Sequence, residues 1–337
     1  MTKILITGGA GFIGSQLGYY LNKLGNEVFL LDNMNHGHRD NLEIDGESFG
    51  WFIDDDIRRP TMLSHVSGMD YVIHLAGLSS LPLCQSQPQY AIDVNVAGTA
   101  NVLEACRLAN VKRVIFASTG AIYENNTKEE APFSEDKTEV NPYLIYPTSK
   151  YQAELLCDSF SKCYGMDIIK LRFFNVYGPH QDFKRKQPPF TGYLLKQLMN
   201  GEDLNVFSDG EQRRDYVHVV DLAELINRCL ENPSASNQTF NVSSGQAYSV
   251  NEIANAMMDL FDVKVNMNYQ DSKIYWDKYP VLHQPKRFHI NKQIVVDEVN
   301  KYALGCTKKT KELLDWEATV SLEEGLKTLV DYARKIF

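Results

Sequence analysis

Apolar, largely β-branched residues at Lys3–Thr7 (KILIT) stop at Gly8-Gly9-Ala10-Gly11-Phe12-Ile13-Gly14, and apolar residues at helical spacing follow through Leu17, Tyr20, Leu21 and Leu24. The pattern predicts a strand, a glycine turn and a helix. Further strand-sized apolar runs stand at 27–31 (EVFLL), 71–75, 113–117 and 168–173, with helical stretches between them. Strands that alternate with helices imply a parallel, doubly wound α/β sheet.

Past Pro179 the pattern loosens. Gln187-Pro188-Pro189 interrupts it, a helix is predicted over Phe190–Met199, and a Ser208-Asp209-Gly210 turn precedes RRDYVHVVDLAEL. We expect a first domain at residues 1–178 and a smaller α/β lobe at 179–337, with segments near 215–245 returning to the first domain. Ser249-Val250-Asn251-Glu252 and Ser321-Leu322-Glu323-Glu324 fit the Ser-x-x-Glu capping box, which predicts helix starts near 250 and 322. Residues 271–293 are aromatic-rich and basic without periodicity and read as a long loop.

Composition narrows the function. The chain has 337 residues, 44% hydrophobic and 23% charged, which excludes disordered, collagen-like and coiled-coil chains. A net charge of -9 argues against a nucleic-acid partner, while local arginines can still hold a small anion. Cys84, Cys106, Cys157, Cys163, Cys229 and Cys306 form no CxxC pair and follow no apolar leader, so a reduced, cytoplasmic protein is expected. No apolar run approaches the roughly 20 residues that span a bilayer.

Gly8, Gly11 and Gly14 give a Gly-x-x-Gly-x-x-Gly turn whose backbone and following helix N-terminus suit a pyrophosphate. Asp32, eighteen positions after Gly14, can accept hydrogen bonds from both hydroxyls of an adenosine ribose, favouring NAD over NADP, although Arg39 lies nearby. Tyr146 and Lys150 fall four residues apart, on one helical face. A phenol with a pKa of about 10 becomes a base near neutrality only if cations stabilise its phenolate. Each feature has a plainer reading: a glycine loop that binds nothing, an aspartate that caps a turn, an ordinary surface helix. His74 and His218, in apolar contexts, read as structural hydrogen-bonding residues, Cys84 reads as a small buried side chain, and no metal site is proposed.

With TGGAGFIG (7–14), LLDN (30–33), DDI (55–57), HLAG (74–77), NVAGT (95–99), FASTGAIY (116–123), YPTSK (146–150), LRFFNVYGP (171–179) and RRDYVHVVDLA (213–223) in this order, the chain resembles the extended short-chain dehydrogenase/reductase family. It is most similar to the nucleotide-sugar epimerase and dehydratase branch, which includes UDP-glucose 4-epimerases. The resemblance implies a Rossmann-type sheet with a C-terminal substrate lobe, and NAD as cofactor. It places Gly8, Gly11, Phe12 and Ile13 at the pyrophosphate, Asp32 and Asn33 at the adenosine ribose, and Asp56 and Ile57 at the adenine edge. Leu75, Ala76 and Gly77 run beneath the cofactor, and Asn95, Ala117 and Phe173 join the cofactor set. Thr119 matches the active-site Ser/Thr, Tyr146 the general base, and Lys150 the residue that binds the nicotinamide ribose and lowers the tyrosine pKa. Ser79, Asn175, Phe207, Arg214 and Tyr302, with Thr119, match the substrate side; Arg214 alternatively pairs with its neighbour Asp215.

Departures from the pattern refine the reaction. Gly120-Ala121 replace the Asp-Glu pair of similar 4,6-dehydratases, and Ala121 also replaces the cysteine of GDP-mannose 3,5-epimerases, which disfavours both reactions. Ser79 stands where many galactose-type epimerases have lysine, and Val295, with Glu298 after it, where many have arginine; Lys286, Arg287 or Lys292 are candidates to restore that charge. The resemblance therefore implies C4 epimerisation of a nucleotide-diphosphate sugar, a UDP-sugar favoured, through a 4-keto intermediate with internal hydride return. A decarboxylase or 4-keto reductase is the near alternative, and an NAD-sensing regulator the distant one. The resemblance also implies a homodimer built from helices around 91–108 and 146–164.

Overall fold

The apolar runs pair edge to edge. In the computed structural model, which describes residues 1–126, 132–284 and 287–336, strands β1 (Lys3–Thr7), β2 (Glu27–Asp32), β3 (Trp51–Asp54), β4 (Tyr71–His74), β5 (Arg113–Thr119) and β6 (Ile168–Phe173) come first. They are followed by β7 (Asn175–Tyr177), β8 (Leu204–Phe207), β9 (Arg213–His218), β10 (Thr239–Val242), β11 (Ala247–Ser249) and β12 (Met267–Gln270). Seven of them form one sheet in the order β3-β2-β1-β4-β5-β6-β10, and every pairing in it is parallel. The order reverses between β1 and β4, which opens a crevice at the carboxyl ends of the strands. The fold is the doubly wound, Rossmann-type α/β sheet that the sequence implies.

Alternation along β1 assigns the two faces. Ile4 and Ile6 pack with Leu17 and Leu21 of α1 (Phe12–Lys23), whereas Leu5 packs with Val102 and Leu103 of α2 (Thr99–Leu108) and with Ala153 and Cys157 of α3 (Ile145–Tyr164). Further along lie α4 (Phe190–Met199), α5 (Val219–Glu231), α6 (Val250–Phe261), α7 (Lys292–Asn300) and α8 (Leu322–Ile336). Helix α5 packs beside α1 through Leu222, Leu225 and Ile226, and β10 pairs with β6, so residues 219–242 run back onto the large sheet. The remaining lobe closes over Leu194, Leu198, Ile253, Met257, Leu326 and Leu329 from α4, α6 and α8. Both capping boxes form: Ser249 and Glu252 bond reciprocally at α6, and Ser321 and Glu324 do so at α8.

Helix α3 crosses the sheet and carries both Tyr146 and Lys150. Its seat is a buried ion pair. Arg172 on β6 donates from Nε to Glu154 Oε1 (3.0 Å) and from Nη2 to Oε2 (2.8 Å), and from Nη1 to the Tyr123 hydroxyl (2.6 Å). Tyr123 in turn donates to Asn241 Oδ1 at 3.0 Å, tying β10 into the same network. Gly165, in the left-handed conformation at φ 70°, ends the helix.

Among the described residues, 271–291 carry two single 3-10 turns, at Ser272–Ile274 and Pro280–Leu282, and no longer helix or strand, while Lys292 and Gln293 of the expected loop already belong to α7. The segment is nonetheless anchored, because Trp276, Tyr279 and Leu282 are buried against Leu144 and Val295.

Glu154→Ala strands a buried guanidinium, and its unfolding free energy is expected to fall by about 3–5 kcal/mol. Urea denaturation checks this; a loss within the ordinary surface range of about 0.5 kcal/mol would show that α3 is seated otherwise.

Candidate active site

At the reversal between β1 and β4 the strand ends open into a cleft of about 860 Å³ that continues into the C-terminal lobe. Its first half is built by the glycine turn. Gly8 has φ 75°, and a Cβ on Gly14 would stand 2.1 Å from the Gly8 carbonyl oxygen, so only glycine lets the turn close. No side chain caps α1, and Gly11, Phe12 and Ile13 at its N-terminus line the cleft. Asp32, at the end of β2, accepts N–H bonds from Ala10 (3.1 Å) and Met34 (2.9 Å), and burial raises its pKa. One lone pair on each oxygen remains for ribose hydroxyls. Asn33, Asp56 and Ile57 continue the wall, with Asp56 held as a carboxylate by Arg58 at 2.7 Å. Leu75, Ala76, Gly77, Ala117 and Phe173 floor it, and Ser118 Oγ is buried there with no hydrogen-bond partner. Free helix N–H groups, a closed glycine turn, a ribose-reading carboxylate and an orphaned hydroxyl together fit a dinucleotide.

Asn95 differs from the sequence expectation. It is not among the residues lining the cleft; its side chain bonds Leu78 N (2.8 Å), Leu78 O (3.0 Å) and Ser149 Oγ (2.9 Å). It staples the Leu75–Gly77 floor to α3. His74, bonded to Thr7 and Thr99, and His218, bonded to Thr328, are structural as expected.

The structure brings Thr119, Tyr146 and Lys150 to one wall. Thr119 ends β5, and its Oγ1 accepts the Ala121 N–H at 3.1 Å. Burial pushes the Tyr146 phenol up to about 12, against a lowering contribution from the Thr119 hydroxyl beside it. Lys150 is 5% exposed, its ammonium 4.4 Å from the centre of the Phe116 ring, and burial brings it down to about 8. A dry site thus disfavours both charges singly. A positive group brought beside the phenol would lower it. Neither Gly120 nor Ala121 offers an acid or base, and Phe174 packs 3.1 Å from where a Gly120 Cβ would lie.

The second half of the cleft holds Ser79, Asn175, Phe207 and Arg214, but not Tyr302, which lies between the lining residues Lys301 and Ala303. Arg214 does not pair with its neighbour Asp215. Its Nη1 donates to Arg213 O and Lys301 O, and its Nη2 to Glu298 O (2.9 Å) and Val299 O (3.0 Å). Three of its five N–H bonds therefore close the C-terminal end of α7 and a fourth goes to the neighbouring Arg213 carbonyl, leaving Nε–H and the charge for a ligand. Asp215 instead accepts from Ser244, Gly245 and Gly305.

Two of the suggested replacement cations, Arg287 and Lys292, are not among the residues lining the cleft. Lys292 pairs with Asp277 at 2.5 Å, Arg287 stands over Phe288, and Lys286 is outside the described residues. The basic residues that do line the second half are Arg185, Arg214, Lys278 and Lys301, with Lys301 neutralised by Glu298 at 2.6 Å.

Sequence reasoning missed three residues of this site. Arg185 and Trp276 line the cleft from loops that carry no motif, and Glu124 holds the start of α3 by accepting the Tyr143 and Leu144 N–H groups. The proximity of Glu124 to the FASTGAIY motif was the one local signal for it.

Residues 4–243 match the NAD dependent epimerase/dehydratase family. The chain belongs to that family. It is an NAD-dependent enzyme of the extended short-chain dehydrogenase/reductase type. Among solved structures it is similar to UDP-glucose 4-epimerase of Thermotoga maritima with UDP-glucose, at 29% identity, 99% coverage of each chain and a TM-score of 0.85. It is 28% identical to a UDP-glucuronate 4-epimerase of Thermodesulfobacterium geofontis over 99% of this chain and 97% of the relative. It is 30% identical to UDP-glucuronic acid decarboxylase 1 of Xenopus tropicalis, over 99% of this chain and 72% of the relative. Among the described residues, no helix is long and apolar enough to cross a membrane.

For this family member the glycine turn gives a direct test. Gly14→Ala forces the turn open, and the Kd for NAD by calorimetry is expected to rise roughly tenfold or more, about 1.4 kcal/mol; an unchanged Kd would move the pyrophosphate away from this turn.

Proposed function

We propose that the chain is a sugar-nucleotide 4-epimerase acting on a nucleotide-diphosphate sugar, with a UDP-sugar as the favoured substrate. The observation that carries this reading is the single proton-transfer centre: Thr119, Tyr146 and Lys150 share one wall, with no acid–base pair at Gly120-Ala121. Elimination of water would need such a pair. Glu124 is a single carboxyl, its Oε1 held by the Tyr143 and Leu144 N–H groups, and makes no such pair. The relatives named for 4-epimerases over nearly the whole chain support the same reading.

Bound NAD supplies the hydride acceptor and, within the same cycle, the donor. Tyr146 takes the proton of the C4 hydroxyl, and Thr119 hydrogen-bonds the same oxygen. Lys150 stabilises the phenolate and binds the nicotinamide ribose. Asn175 and the remaining Nε–H of Arg214 face the diphosphate, and Phe207 packs near the base. Holding the nucleotide while the 4-keto sugar turns is what allows reduction from the opposite face. Decarboxylation or net reduction would share the chemistry at C4 and differ in the fate of the 4-keto sugar.

A homodimer through α2 and α3 is part of the proposal. Val102 and Leu103 serve the chain's own sheet, whereas Leu108, Leu155 and Tyr164 stay exposed on these helices.

Tyr146→Phe is expected to lower kcat by roughly 10²–10⁴-fold and to leave the Kd for NAD nearly unchanged. Loss of NAD binding in that variant, or full turnover, would overturn the role of Tyr146. A wild-type enzyme that binds NAD and turns over no nucleotide sugar would favour the sensing role instead.

Lys150→Met tests the electrostatics. The phenol is already raised, and loss of the ammonium raises it further, so the rising limb of kcat against pH is expected to move to higher pH. At pH 7 the loss is roughly ten- to hundredfold, as for a hydrogen bond to a charged group worth about 1.5–3 kcal/mol. An unmoved limb would separate Lys150 from the base.

A further inference from the structure

After β5 the chain winds as a 3-10 helix over Gly120–Asn126. At three residues per turn, side chains three apart stand one above the other, so Glu124 follows Ala121 along one edge. Ile122 between them is fully buried in the core, whereas Ala121 and Glu124 line the cleft with Thr119 and Tyr146. Gly120 and Ala121 carry no polar side-chain atom, which makes the Glu124 carboxyl the first polar group on that edge.

The two oxygens of Glu124 are used unequally. Oε1 accepts from the start of α3, taking the Leu144 N–H at 2.9 Å and the Tyr143 N–H. Oε2 is buried and has no hydrogen-bond partner among the described residues. Lys301 does not complete it, because its ammonium donates to both oxygens of Glu298, at 2.6 and 2.7 Å. Burial raises the Glu124 pKa, and the charges of Lys301 and Glu298 act on it in opposite senses. A residue only 5% exposed thus keeps a bare acceptor, a cost that a donor from a ligand removes.

The rest of the lining asks for the same chemistry. Gln181 Oε1 and Gln212 Oε1 are also buried without a partner, and the orphan nitrogen donor among the described lining residues is Trp276 Nε1–H. A hydroxyl meets both kinds of group, because it donates and accepts. A carboxylate only accepts, and beside Glu124 it would face a like charge. The nucleotide end is marked by Asn175, Arg214 and Phe207, whereas Glu124 stands with Thr119 and the start of α3 at the reacting end. We propose that Glu124 determines specificity: its Oε2 accepts a hydrogen bond from a hydroxyl of the sugar and selects a neutral nucleotide-linked hexose over a hexuronate. The inference rests on the C4-epimerase reading above.

The test compares wild type and Glu124→Gln on UDP-glucose with UDP-galactose and on UDP-glucuronate with UDP-galacturonate, alongside calorimetric binding of UDP. Wild type is expected to favour the neutral pair, a comparison that stands whether or not the variant folds. Glutamine keeps one acceptor oxygen for the Tyr143 and Leu144 N–H groups and puts an amide donor in place of Oε2. In Glu124→Gln the ratio of kcat/KM, neutral over uronate pair, is therefore expected to fall roughly tenfold or more, mainly through KM, as for a lost hydrogen bond to a charged group. Binding of UDP stays within about twofold. A ratio unmoved within about twofold overturns the proposal, as does a parallel fall in kcat on both pairs, which would confine Glu124 to holding α3. Wild-type preference for the uronate pair overturns it without touching the epimerase reading. No turnover of any nucleotide sugar overturns both.

Discussion

The cleft depends on how α3 is held, and α3 is held by the ion pair between Arg172 and Glu154, 6% and 2% exposed. Two charges taken out of water at this depth are tolerable only with near-complete hydrogen bonding, which the fork geometry and the Tyr123 hydroxyl provide. The pair fixes the helix in rotation as well as in place. Lys150 and Tyr146 lie one and two turns before Glu154 on that helix, so the same contact sets where the ammonium and the phenol point. Glu124 fixes the other end by taking the free N–H groups before the first turn.

The dryness that makes this seat stable also sets the chemistry. Burial raises the Tyr146 phenol and lowers the Lys150 ammonium, so the phenolate in particular is disfavoured without a cation beside it. A positive group entering the site pulls the phenol down, which couples base strength to cofactor occupancy. Elsewhere in the cleft most cations are already matched: Glu298 neutralises Lys301, and Arg214 commits its donors to the end of α7. Arg185, whose charge lowers the phenol, is paired with Asp182 at 3.7 Å.

Much of this was legible in the sequence because it is local. Continuous apolar runs mark strands buried on both faces, and the glycine turn requires glycine for steric reasons that hold in any context. Strand β3 escaped notice because it is a half-exposed edge, with Trp51 64% exposed. Strand β10 escaped because its central Asn241 is polar, and its burial makes sense only with Tyr123 and the Phe133 carbonyl beside it. Asn95 shows the limit of carrying roles over by position: it lies next to the expected place, and its side chain answers to Leu78 and Ser149. Arg185, Trp276 and Glu124 act only through tertiary contacts, which no spacing announces.

The central claim is that C4 is oxidised and reduced within one closed cycle at Tyr146. Proton NMR in D2O, with UDP-linked hexoses and hexuronates and no added reductant, reads it directly. The account predicts interconversion of C4 epimers with no solvent deuterium in the sugar. Deuterium at C3 or C5, or loss of the C6 carboxylate, would contradict it.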